Sequence, residues 1–277
     1  MSMAVNMQTA KVLGLRKPIA RILTSVDGGP VRRIVDGRKT IYTGFFTSVK
    51  ADFGQMPWES RKSEKTTMIL AEASSRVVSL LAQPHRLEIF VNEQKTPLKY
   101  FPDLQLKVHP SLLFDLQQGT PFSVAALAPS NDEPDDRLRT VVFEIKDDRV
   151  HRQRTSQYKA KLELAADVYR RMGITFFTIQ RGEEIFPYQL RIASNIVSWR
   201  HTSVNQRDVW TVQSVLRSST QAAGEVALRL GGGALGWAKL RALHVRRIVE
   251  IDLTESVSPD SRVRLLKNNT LQVRVRS

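Results

Sequence analysis

The sequence predicts an α/β protein: a mixed sheet flanked by helices over residues 56–190, then a smaller α+β domain over 191–277. Two observations predict this. Helical and extended periodicities alternate between 56 and 190, in the order helix, three strands, helix, strand. After 191 the pattern changes to three short helical stretches followed by a pair of extended ones. The chain has 277 residues, of which 42% are hydrophobic, so one large or two ordinary domains with real cores are expected. It contains no cysteine, which removes disulfide and thiolate chemistry and fits a reducing cytoplasm. No apolar run approaches the roughly 18 residues that a membrane span needs. The opening "MSMAVNMQTAKVLGLRKP" lacks the compact apolar stretch of a secretory signal.

Residues 1–55 are rich in Gly, Pro and basic side chains and read as a basic arm with room for one hairpin. "WESRKSEKTTMILAEASSRVVSLLA" (58–82) reads as a helix, because Ile69, Leu70, Ala73, Val77, Leu80 and Leu81 recur at helical spacing before Gln83-Pro84. "RLEIFVN" (86–92) alternates as a strand, and "EQKT" turns the chain into a second strand, "PLKYFPDLQLKV" (97–108). Pro102-Asp103 interrupts that strand with a residue that cannot donate to a ladder, followed by a charge. Residues 109–140, with the acidic "SNDEPDD", read as a partly irregular insertion. "TVVFEIK" (140–146) is a strand, 156–173 a helix stopped by Gly173, and "ITFFTIQ" (174–180) a further strand. The stretches 207–219, 220–233 and 234–247 read as three helices and 247–266 as a hairpin, the pattern of a winged helix-turn-helix. Its third helix carries Lys239, Arg241, Arg246 and Arg247, which are expected to contact DNA.

The charge points the same way. Lys and Arg total 42 against 27 acids, a net +15, which suits a polyanionic partner. The excess is uneven: 1–50 holds nine basic residues and two acids, 191–277 holds fourteen and six, and the stretch between is neutral. A neutral body between basic ends suggests a catalytic or structural core with nucleic-acid grips.

Alternation along "VVFEIK" puts Glu144 and Lys146 on one face of a strand and Phe143 and Ile145 on the other. Asp103 belongs to a neighbouring strand. Carboxylates brought together repel, and a hard divalent cation such as Mg²⁺ relieves that repulsion. Such an ion polarises a phosphodiester and activates water, while a lysine orients the nucleophile or stabilises phosphoryl charge. A third acid is expected from the preceding helix; Glu64 is the first choice and Glu59 the second.

Pro102-Asp103 followed by Glu144-Ile145-Lys146, with an acid-bearing helix ahead and "KAKLELAADVYRRMGITFFTI" behind, resembles the PD-(D/E)xK nuclease signature. The whole succession over 58–186 is similar to the TnsA family, the endonuclease subunits of heteromeric cut-and-paste transposases, and the basic tail agrees with that family's two-domain layout. The resemblance implies a restriction-endonuclease-like sheet with a winged-helix-like C-terminal domain. It further implies cleavage of the 5′ strands at transposon ends, beside an integrase-like transposase subunit that cuts the 3′ strands and an AAA+ ATPase regulator. The implied metal ligands are Glu64, Asp103 and Glu144, holding Mg²⁺ or Mn²⁺, with Lys146 in a base-like role. The implied setting is the cytoplasm, on nucleoid DNA. One departure from the family's pattern is the stretch between Asp103 and Glu144, which is long and carries its own acidic loop. A DNA-binding adaptor with an unused nuclease fold, and a free-standing restriction or repair nuclease, remain open as alternatives.

Other residues carry less. His151, His201 and His244 show no metal-ligand spacing. "LRLGGGALGW" lacks the Lys-Ser/Thr ending of a phosphate loop. Arg152 and Arg154, next to His151, follow the active strand and are expected to grip phosphates flanking the cut. Trp58, Trp199, Trp210 and Trp237 are expected to fill the core or a domain boundary.

Overall fold

The computed structural model describes residues 5–10, 19–32, 34, 42–91, 95–130, 137–147 and 156–266. His151, Arg152, Arg154 and most of the acidic loop at 130–136 lie outside the described residues. Among the described residues the chain is a mixed α/β structure with several sheets, and no helix is long and apolar enough to cross a membrane.

In chain order the elements are β1 (Val5–Ala10), β2 (Ala20–Ser25), β3 (Gly44–Ser48), β4 (Gly54–Trp58), α1 (Glu64–Ala73), β5 (Val77–Ala82), β6 (His85–Ile89), β7 (Leu98–Tyr100) and β8 (Leu104–Val108). There follow α2 (Pro110–Gln117), α3 (Phe122–Leu127), β9 (Arg139–Lys146), α4 (Ser156–Arg171), β10 (Thr175–Gln180), α5 (Arg181–Glu184) and α6 (Pro187–Val197). The last are α7 (Gln206–Val215), β11 (Gln221–Ala222), α8 (Ala223–Arg229), α9 (Gly233–Val245), β12 (Val249–Ile251) and β13 (Arg262–Leu265). Contacts divide the chain into two units: 1–65, 79–107 and 139–183 form the first, and 66–78, 108–138 and 184–277 the second.

The first unit contains an antiparallel sheet in the order β1-β2-β6-β7. The reading of 1–55 as an arm therefore gives way, because β2 is a buried strand registered against β6 from Ala20↔Ile89 to Thr24↔His85. Residues 44–58 add the β3–β4 hairpin. A second sheet runs β10-β9-β8-β5, with β9 and β10 parallel from Val141↔Thr175 to Lys146↔Gln180. Parallel neighbours require a crossover, and α4 supplies it. Helix α4 buries Leu162, Ala165, Val168 and Tyr169, at helical spacing, against Ala20, Ile22, Leu87, Ile89 and Tyr100 of the first sheet and Val142 of β9. It stops where Gly173 takes φ +70 and Ile174 N–H reaches back to the Tyr169 carbonyl at 2.9 Å, a turn that glycine enters without steric cost.

Two expected elements are each split. The helix read over 58–82 is helical only from Glu64 to Ala73; the chain then passes Ser74-Ser75 and turns extended at Val77. Val77, Leu80 and Ala82 are buried in that strand. An apolar run of this kind satisfies either period, and β-branched Val77-Val78 behind two serines favours the strand. The strand read over 97–108 is two strands in different sheets, β7 and β8, and Phe101-Pro102-Asp103 is the passage between them.

The second unit is built on α6, α7, α8 and α9, with a three-stranded sheet in the order β11-β13-β12. Ile196, Val212, Val226, Leu240, Leu243 and Val263 are among its fully buried residues. The three helices and the hairpin expected beyond 191 are present, while β11, which pairs Gln221 with Val263, and α6 were not anticipated. The insertion at 109–140 is more regular than expected, since α2 and α3 occupy much of it. Helix α9 approaches α8 closely at Gly236, where an added Cβ would lie 2.0 Å from the Ala227 carbonyl oxygen.

Candidate active site

The interruption at Pro102-Asp103 fixes the position of an acid. Between its two strands, Asp103 donates its backbone N–H to the Phe143 carbonyl (3.1 Å) and accepts the Gln83 N–H at its own carbonyl (2.9 Å). Its carboxylate Oδ2 accepts the N–H of Ile145 at 2.7 Å. Proline at 102 costs no ladder bond there, because the chain is changing sheets. Asp103 is thus stitched to the stretch of β9 that carries Glu144 and Lys146.

Glu144 is buried at 5% exposure, and Val142 on the same face of β9 is fully buried. The expectation that this face opens into a cleft while only Phe143 and Ile145 meet the core is therefore too simple: both faces of β9 are covered. Phe143 stacks on Phe177 of β10 with ring centroids 6.0 Å apart. Glu144 survives this burial because Tyr100 donates its hydroxyl to Oε2 at 2.8 Å and Tyr158, in the first turn of α4, donates to Oε1. Lys146, half-buried, sits with its ammonium 5.5 Å from the centre of the Tyr158 ring.

Glu64 is the first residue of α1 and is buried at 7% exposure. Its Oε2 accepts the backbone N–H of Glu59 at 2.9 Å. Burial pushes its carboxyl up to about 7, the negative charges of Glu59 and Glu144 add to this, and Arg32 opposes it. Glu59, the alternative ligand, precedes the helix and pairs with Arg32 at 3.5 Å. Asp103 is held well above the usual carboxylate range, first by burial and then by the charges of Glu144 and Glu64. Glu64, Asp103 and Glu144 thus crowd one another electrostatically, as their positions in the sequence lead one to expect.

Three carboxylates suit a hard divalent cation chemically. Among the described residues, however, no group of three or more Asp, Glu, His or Cys is spaced to hold a metal ion. Each of the three acids has instead taken a hydrogen bond from the protein itself.

Several participants were not legible in advance. Arg32 donates to the Gln83 side chain (3.3 Å), lies over the Phe101 ring (5.0 Å) and tempers the charge at Glu64. Tyr100 and Tyr158 carry no motif; the only signal is their nearness in sequence to Asp103 and to the start of α4. His85, buried behind them, shares a 2.6 Å hydrogen bond with the Tyr169 hydroxyl, and burial lowers its pKa to about 4.

In the second unit, the four cations expected to meet DNA separate. The Lys239 ammonium forms a 2.7 Å ion pair with Asp208 of α7. Arg246 donates to the carbonyls of Ala242 (3.0 Å) and Thr202 (3.1 Å). Arg247, 9% exposed with φ +59, donates to the Ser75 carbonyl at 2.7 Å. These three, expected to contact DNA, are engaged within their own fold. Arg241 is different: it lies over the Trp237 ring at 5.5 Å, its Nε has no hydrogen-bond partner, and it lines a cavity of about 400 Å³ with Trp199, Trp237 and Pro259. Trp199 (40% exposed) and Trp210 (62%) are surface residues rather than core fillers, whereas Trp58 is buried as expected. His244 is structural, accepting the Ile251 N–H at Nδ1 and meeting the Ala73 carbonyl at Nε2.

No family model matches the chain, and no curated protein matches it.

Proposed function

We propose that the protein is a Mg²⁺-dependent DNA endonuclease, the 5′-strand-cleaving subunit of a TnsA-like heteromeric transposase with a restriction-endonuclease-like nuclease domain. The observation that carries this reading is the hydrogen bond from Ile145 N–H to Asp103, which ties the acid of the Pro-Asp pair to the strand bearing Glu144 and Lys146. Support also comes from the crowding of Glu64 with those acids and from the net charge of +15. When bound, a divalent ion supplies phosphoryl polarisation and an activated water. Glu64, Asp103 and Glu144 are the residues that would hold it, and Mn²⁺ would substitute. Lys146 provides positive charge beside them. The helices and three-stranded sheet of the second unit are read as a winged-helix-like domain that serves DNA or the AAA+ regulator, with Arg241 as its available cation. In this reading the partners are transposon-end DNA, an integrase-like transposase and the regulator, acting on nucleoid DNA in the cytoplasm.

One observation favours a second reading, a DNA-binding adaptor that does not cut: all three acids are already hydrogen-bonded within the chain. The test is cleavage of labelled transposon-end duplex by the full chain together with an integrase-like transposase partner, in Mg²⁺. The endonuclease reading expects 5′-strand nicks from the wild type and none from Asp103→Ala or Lys146→Ala. Equal cutting by all three, or none by the wild type with its partner present, supports the adaptor reading or a contaminating nuclease and ends the proposal.

A further inference from the structure

The cavity of about 400 Å³ in the second unit has two walls and an aromatic edge. Helix α9 lines it with Ala234, Trp237 and Arg241, spaced to share one helical face, and the loop between β12 and β13 adds Val257 and Pro259. Trp199, just beyond α6, completes the lining and is 40% exposed. One lining side chain is charged. The Arg241 guanidinium lies over the Trp237 ring at 5.5 Å, and burial lowers its pKa. Its Nε is buried without an acceptor, and among the described residues no carboxylate pairs with it. Glu255 of the flanking loop is taken by the Tyr188 hydroxyl. More positive charge lies beside Trp199: burial, then the charges of Arg200 and Arg246, lower the pKa of His201. Glu72 offsets part of that charge.

We propose that this cavity takes one unpaired base of a DNA strand, stacked on Trp199, with the adjoining phosphate on Arg241. An indole binds any base through its ring face, and a guanidinium without a counter-ion binds phosphate. Bases inside a duplex are stacked on both sides, so only an unpaired one can enter. The volume lies at the lower end of the roughly 300–1,000 Å³ span of small-ligand sites, which suits a single nucleoside better than a longer segment. An acidic peptide would also satisfy Arg241. The fourteen basic residues against six acids over 191–277 favour the partner that carries a phosphate at every step. The proposal shares with the endonuclease reading only the premise that the second unit meets DNA, and it needs none of the acids of the first unit.

The experiment titrates the full chain, by fluorescence anisotropy, into a short labelled oligothymidine, an abasic strand of the same length and charge, and a duplex. The expected result is that wild type binds the oligothymidine roughly tenfold more tightly than the abasic strand, the worth of one stacked base. Trp199→Leu should bind the two strands alike while keeping the wild-type affinity for the abasic strand and the duplex. Arg241→Gln should weaken both strands and lower the salt slope by about one, and it tests the pocket should the leucine variant melt early. Equal binding of the two strands by wild type, a preference that survives Trp199→Leu, or an unchanged salt slope in Arg241→Gln overturns the proposal. If the duplex still binds in any of these cases, the DNA reading of the second unit stands, and the cavity is left to an acidic segment of a protein partner. If neither strand nor duplex binds, that reading fails together with the pocket.

Discussion

Asp103 accepts the backbone N–H of Ile145 at 2.7 Å, so the carboxylate proposed for chemistry also closes a backbone bond that β9 would otherwise leave open. The two roles separate by mutation. Asp103→Ala leaves the Ile145 N–H without an acceptor, a loss of about 1–3 kcal/mol. Asp103→Asn keeps an acceptor and removes a charge that Glu144 and Glu64 repel, so it should melt at or above the wild-type temperature. Both should be inactive in strand cleavage. Thermal denaturation of the two variants checks this, and an asparagine variant less stable than the alanine one refutes it.

The buried His85 makes stability depend on pH. Its folded pKa of about 4 lies below the ordinary 6.5, so the neutral form is the native one. Stability from this group is complete above pH 6.5 and is lost as pH falls through 6.5 towards 4, by up to about 3 kcal/mol. Urea denaturation at pH 7, 5.5 and 4.5 should show this decline. His85→Gln should be weaker at pH 7 and show a shallower slope, and parallel slopes for the two proteins would rule the assignment out.

The Lys239–Asp208 pair is mostly buried, with side chains 18% and 9% exposed, so removing one partner strands the other. Lys239→Met should destabilise by roughly 2–4 kcal/mol, and the double change Lys239→Met with Asp208→Leu should recover much of that. DNA affinity should keep its salt slope in Lys239→Met and lose about one unit of it in Arg241→Ala if Arg241 meets a phosphate. Fluorescence-anisotropy titrations across salt concentrations measure both.

Gly236→Ala would press a methyl group against the Ala227 carbonyl oxygen, at a distance that real side chains do not adopt. Helices α8 and α9 must then separate, at a loss of about 2 kcal/mol or more. A calorimetric melt reads the loss, and a wild-type melting curve would show that the two helices have slack between them.

The sequence was most legible where a single period dominates. Helix α4 and the strands on either side of it follow directly from Leu162, Ala165, Val168 and Tyr169 and from the runs at 139–146 and 175–180. It misled where apolar residues fit two periods at once, as at Val77–Ala82, and where an odd pair of residues marked a change of sheet rather than a flaw in one strand. At the site, the acids and Lys146 carried their own signal through Pro-Asp and Glu-x-Lys. Arg32 and Tyr100 did not, because they reach Glu64 and Glu144 only through pairings between segments far apart in the chain, and Tyr158 did not, because its contact with Glu144 depends on how α4 lies against β9. The basic residues around α9 needed the third dimension: Lys239 and Arg247 look like a binding surface in the sequence, yet Asp208 and the Ser75 carbonyl engage them in the fold.

Only Phe101, Pro102 and Asp103 separate β7 from β8, and those strands are registered in different sheets. That short passage acts as a gauge block. Adding or deleting one residue within it would shift one sheet by a pleat against the other and reverse which side chains face inward. Length variation should therefore be forbidden at this point, however freely the residue types flanking Asp103 are exchanged.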